Sequence, residues 1–266
     1  MTRRHSMITR RVMAAAVALV CAASTTACGG DSPAVSVDIA TVLPFPYTTV
    51  WSADPGIDLI GRGAELIRVA EESIEYTFAA GPETTYPGYF DAVRDSNSWI
   101  TPGNPGFRTE GGTNYGRVHT WFRHVVDYSV NSNSVSATVC SYRLFQKPSE
   151  RPGEAVLSDS VRITLVNAAE LPGKPGIVDT DVDGHDPRAQ RPPVWNVFGN
   201  WKITEYTSIR SDAIPQQCID WWKLEFPMFT TSFSGSRALR SPPGYVMPTM
   251  PMAVQYPEWI GPTDVS

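Results

Sequence analysis

Three groups of residues have the types and spacing that chemistry needs. Asp179-Thr180-Asp181-Val182-Asp183-Gly184 sets three carboxylates at alternate positions with glycine sixth. A calcium loop opens this way, because its oxygens must converge and glycine permits the turn. The twelfth position is Gln190 rather than a bidentate glutamate, and Pro187, Pro192 and Pro193 exclude a following helix. The segment reads as a solvated acidic turn in the connection 171–193, with a looser calcium loop for Asp179, Asp181 and Asp183 as the alternative. His124 and Tyr128 form the second group, four residues apart on an otherwise apolar strand face. An imidazole lining a cavity there could move protons; the alternative is a hydrogen-bonded core histidine. Cys140 and Cys218 form the third. They lack the close spacing of a zinc site and read as a disulfide, given an oxidising exterior. No nucleophile elbow, H-E-x-x-H pair, P-loop or dinucleotide fingerprint occurs. No catalytic residue and no cofactor is assigned, calcium being the alternative.

The elements that position these groups follow from periodicity. Ile60, Ala64, Ile67, Ala70, Ile74 and Phe78 recur at helical spacing after Asp54-Pro55-Gly56, with Glu65, Arg68, Glu71, Glu72 and Glu75 on the other face. Gly61 and Gly63 weaken the first part of this helix, and Gly81-Pro82 stops it. A shorter helix is expected over 89–95. From Val118 the chain alternates. The even-numbered face (Phe122, His124, Val126, Tyr128) is expected inward, and His119, Trp121 and Arg123 share the outer, solvated face. Asn131-Ser132-Asn133-Ser134 turns the chain into a partner strand over 135–145. Further strands are expected over 156–166, over 194–209 with a bend at Gly199, and over 219–228, where Trp222, Leu224, Phe226 and Met228 share a face. Helices followed by long strands with one apolar face give an α+β domain. N-terminal helices would pack on a curved antiparallel sheet, a cone-like roll. Six prolines from Pro242 to Pro262, interleaved with Tyr245, Met247, Met250, Met252, Tyr256 and Trp259, make residues 236–266 an extended strap across it.

The N-terminus carries an address. Four arginines and no acid fall in residues 1–11, followed by an apolar run over 12–23. That run is too short to span a bilayer and has the layout of a secretory signal peptide. Thr25-Thr26-Ala27-Cys28 before Gly29-Gly30-Asp31-Ser32 resembles the lipobox of bacterial lipoproteins. The resemblance implies a signal peptide over 1–27, acylation of Cys28, a tether over 28–49, a globular domain over 50–235, and attachment to the outer face of the cell membrane. Secretion without a lipid is the alternative, and Arg10-Arg11 leaves the export route open. Without residues 1–27, 18 basic residues of the chain's 22 remain against 27 acidic ones, a net charge of −9. That balance excludes nucleic acid and argues against adhesion to anionic lipid by charge. The element order, with the strand Gly199-Asn200-Trp201-Lys202-Ile203 near its end, resembles the nuclear transport factor 2-like, polyketide-cyclase-like cone, a fold similar to that of small actinobacterial envelope lipoproteins. The resemblance implies a module that binds a small apolar ligand or an envelope protein partner, or alternatively an enzyme working by proton transfer or hydrolysis in the cone.

Overall fold

The computed structural model describes residues 47–80, 85–94, 96, 100, 117–148, 153–167 and 173–262. The stretch read as a signal peptide, Cys28, most of the stretch read as a tether and Gly81-Pro82 lie outside them. The fold is α+β, with a curved mixed sheet. Strand β1 (Tyr47–Ala53) leads to helices α1 (Arg62–Ala80) and α2 (Tyr89–Val93). The hairpin β2 (His119–Val130) and β3 (Ser134–Phe145) follows, then β4 (Val156–Leu157), β5 (Ser160–Asn167), β6 (Ala189–Gln190) and β7 (Trp201–Ser208). Helix α3 (Gln216–Glu225) precedes the short strands β8 (Thr230–Thr231), β9 (Leu239–Arg240) and β10 (Trp259–Ile260).

The main sheet has the order β1-β2-β3-β5-β7. All its pairs are antiparallel except β1 with β2. That parallel pair corrects the expectation of an all-antiparallel sheet. Parallel strands need a long crossover, and the segment carrying α1 and α2 supplies one. Tyr47, Thr48 and Thr49 are buried in β1, so the fold begins inside the stretch read as tether.

Both faces of the sheet are covered. Helix α1 lies on the odd-numbered face of β2, against Trp121, Val125, Val139, Ile163 and Leu165. Helix α3 lies on the even-numbered face with Val126, Cys140, Tyr142, Phe226 and Phe229. The expected solvated face is therefore core: His119 and Arg123 are each 1% exposed. The segment read as a strand over 219–228 is α3. Pro215 stands at its N-cap, and Cys218, Ile219, Trp222 and Phe226 share its inner side. Leu224 and Met228, which strand alternation would bury, are exposed. The strand expected over 194–209 begins only at Trp201, after a turn in which Gly199 has φ 58°. Cys140 and Cys218 form a disulfide, Cα–Cα 5.5 Å, that fastens α3 to the sheet.

The acids expected on an outer face of α1 are also inside. Glu65, Arg68, Glu71 and Glu72 are each at most 5% exposed, because residues 175–179 and 257–260 line the Glu65–Arg68 side of the helix. Buried charge is tolerated only when fully paired. Glu71 pairs with Arg123 and accepts the Tyr206 hydroxyl at 2.6 Å. Glu72 accepts four bonds: Trp51 Nε1 at 2.7 Å, Tyr86 Oη at 2.9 Å, Gln255 Nε2 at 3.2 Å and Trp259 Nε1 at 2.7 Å. Arg68 stacks 4.7 Å over the Trp259 ring and donates to the Pro257 carbonyl. The C-terminal segment also bonds the free edge of β1 through Trp51 N to Tyr256 O, 2.8 Å, and Tyr256 N to Thr49 O, 3.0 Å.

Glu72→Ala strands several buried donors at once and is expected to cost at least about 3 kcal/mol in urea unfolding. Losing the disulfide by Cys140→Ser with Cys218→Ser opens a loop of 78 residues and is expected to cost about 2–4 kcal/mol. Losses below about 1 kcal/mol in either case would contradict these roles.

Candidate functional site

His124 is where the structure gathers reactive groups. Its register partner across the parallel pair is Ser52 of β1. Ser52 Oγ lies 2.7 Å from His124 Nδ1, and Asp54 Oδ1 lies 3.0 Å from Nε2. Asp54 follows directly after β1, fixed by its own N–H on the Val125 carbonyl at 3.0 Å. Trp221 of α3 stacks on the imidazole, centroids 5.0 Å apart and planes within 10°. The His124 side chain is 10% exposed and that of Asp54 32%. Burial lowers the imidazole pKa from its usual value, while the Asp54 hydrogen bond and charge oppose that shift.

The tautomer follows from the partners. A carboxylate only accepts, so Nε2 carries the proton and donates to Asp54. Nδ1 then presents its lone pair to the Ser52 hydroxyl. A hydroxyl, a neutral imidazole that can take its proton and a carboxylate that steadies the ring are the parts of an activated nucleophile.

Tyr128 does not join this group. Between Val126 and Ser129, β2 spends three steps where β3 spends two. Asp127 takes the left-handed conformation, φ 49°. Such a bulge inserts one residue and reverses every side chain beyond it. Tyr128 therefore packs on the α1 side, where its hydroxyl accepts from the Ala64 N–H. A Cβ on Gly63 would stand 2.1 Å from that hydroxyl oxygen. The glycine that weakens the helix by propensity makes room for Tyr128.

The acidic loop turns its oxygens onto its own backbone. Asp179, 5% exposed, accepts from Asp181 N at 3.1 Å and Glu258 N at 2.7 Å. Asp181 accepts from Asp183 N at 3.2 Å and Gly184 N at 2.9 Å. Among the described residues no three metal-ligating side chains converge. Beside this loop, Glu65, Arg68, Gly176, Asp179, Pro257 and Trp259 line a cavity of about 30 Å³, room for about one water.

A second buried histidine, His119, has its pKa lowered to about 4, first by burial and then by Arg143, Arg191 and Arg117. A hydrogen bond to the Arg117 carbonyl pulls the other way.

Ser52, Asp54 and Trp221 were not singled out in the sequence. Asp54 carries the signature of a helix cap, and Trp221 sits in a segment whose alternation mimics a strand. The available signal was Tyr47-Thr48-Thr49-Val50-Trp51, a β-branched and aromatic run that marks a strand. No family model, curated protein or solved structure matches the chain.

Two titrations test these environments. Asp54→Asn removes the group that holds the His124 pKa up, so NMR titration is expected to place it lower still. An unchanged or higher value would break the assigned tautomer. For His119, a folded pKa near 4 against an ordinary 6.5 means that the unfolded state binds the extra proton first. Its contribution to stability is complete above pH about 6.5 and is lost as pH falls toward 4. His119→Gln is expected to flatten that acid limb in urea unfolding across this window.

Proposed function

We propose that this chain is a membrane-anchored envelope lipoprotein whose domain is a non-enzymatic interaction module for an envelope protein partner. The observation that carries the reading is the filled interior among the described residues. Helix α1 covers one face of the sheet, α3 covers the other, and the cavity beside α1 has room for about one water. In the cone reading, the space that would take a small apolar ligand is taken by α1. The segment ending in β10 is then the strap, with Tyr256 bonded along β1 and Trp259 bonded to Glu72. What is left for recognition is surface. The chain around and after α3 exposes Leu224 at 80%, Met228 at 53%, Phe233 at 60% and Val246 at 65%.

The polarised Ser52–His124–Asp54 set favours one second reading, a hydrolytic enzyme in which Ser52 is acylated and His124 takes its proton.

One experiment separates the readings. The protein is purified from its host's membranes, weighed intact and under denaturation, and treated with a fluorophosphonate. The expected result is an acylated Cys28, no dissociable small molecule and no covalent label. A mass excess lost on denaturation would establish a ligand carrier. A label on Ser52 that disappears in His124→Ala would establish the hydrolase.

A further inference from the structure

The end of the sheet at which β1 begins has an unusual composition for a chain whose residues 28–266 carry a net charge of −9. Register aligns its side chains in rows across β1, β2 and β3. Tyr47, His119 and Phe145 form the outermost row, and Thr49, Trp121 and Arg143 the next. Arginines sit on these rings. The Arg117 guanidinium lies 3.8 Å from the Phe145 centroid, and Arg191 lies 4.3 Å from that of Tyr47. Arg143 lies 5.2 Å from both Trp121 and Phe145. Stacking holds a guanidinium by its face and leaves edge N–H groups for oxygen acceptors.

Among the described residues the arrangement is anchored without an ion pair. Arg117 donates to the Lys147 carbonyl at 2.7 Å, and Arg191 donates to the Tyr47 carbonyl. Among the described residues, none of Arg117, Arg143 and Arg191 has a carboxylate within ion-pair distance. Arg188 and Arg210, elsewhere on the surface, pair with Asp186 and Asp212. Among the described residues, the acids whose fields reach this end are exposed Asp159, which feels Arg123 and Arg143, and Glu75 and Glu72, which act on Tyr47. Arg117, Arg143, Gln146 and Lys147 are exposed. Burial is the main cause of the depressed His119 pKa, and the charges of Arg143, Arg191 and Arg117 lower it further.

Position supplies the partner. The chain enters β1 at Tyr47, 19 positions after Cys28, so a lipid on Cys28 would tether the domain by this end. We propose that the arginine–aromatic end of the sheet faces the bilayer and binds the anionic headgroups of its lipids. The setting rests on the lipoprotein reading, whereas the headgroup contact does not need the acyl chain. Net charge alone argued against such adhesion. The distribution reverses that argument, because an exposed guanidinium responds to charges within about 10 Å rather than to the whole molecule.

The test uses the mature chain, residues 28–266 with Cys28→Ser, sedimented with phosphatidylcholine vesicles with or without one third phosphatidylglycerol. Binding is expected only to the anionic vesicles and is expected to fall as salt rises. Arg117→Gln and Arg143→Gln are each expected to lower the partition coefficient roughly fivefold, the weight of one basic residue at an anionic surface. The control Arg188→Gln with Arg210→Gln is expected to leave it unchanged. No vesicle binding, equal binding to neutral vesicles, or an equal loss in the control would overturn the proposal. Because the acyl site is absent, these outcomes leave the anchor itself to the mass measurement above.

Discussion

A carboxylate cannot be taken out of water unless nearly all of its lone pairs are bonded again. Glu72 meets that condition with four donors from three separated parts of the chain: Trp51 in β1, Tyr86 before α2, and Gln255 and Trp259 near the end. One residue earlier, Glu71 points around the helix toward the sheet and finds Arg123 and Tyr206. Two adjacent acids on α1 thus join the helix to the sheet and to the C-terminal segment. Everything else is arranged so that neither is left alone. The sheet curves over one side of the helix, and the C-terminal segment closes against another.

That constraint explains which parts of the structure were legible in the sequence. The long hairpin was readable because strand alternation does not depend on the rest of the fold, and its ends at Val130 and Ser134 bracket an ordinary Asn-Ser turn. The long helix was readable from its apolar stripe. Its polar stripe misled, because Glu65, Arg68, Glu71 and Glu72 look like a solvated face until their partners are known. Apart from Arg62 beside Glu65, their hydrogen-bond partners lie 14 to 189 residues away, beyond any local pattern. The odd face of β2 misled for the same reason: Arg123 is inside because Glu71 requires it.

The site was legible only in its central residue. His124 stood out as a polar group on an apolar face, but its neighbours depend on the parallel pairing of β1, which sets Ser52 beside it. Tyr128 was misplaced by a single inserted residue, Asp127, whose left-handed backbone has no dependable signature outside glycine and asparagine. In the acidic loop the spacing was read correctly, but spacing does not tell whether carboxylates point at a common centre or at their own amides. Here Asp179 and Asp181 point at amides.

The place of Trp259 in the core has a temporal side. A chain that leaves a ribosome or an export channel emerges from its N-terminus, so Glu72 appears long before Gln255 and Trp259. Until those residues arrive, half of its donors are missing, and the buried charge opposes closure of the helix onto the sheet. The bonds from Gln255 and Trp259 to Glu72 can therefore close only after the segment that carries them has emerged.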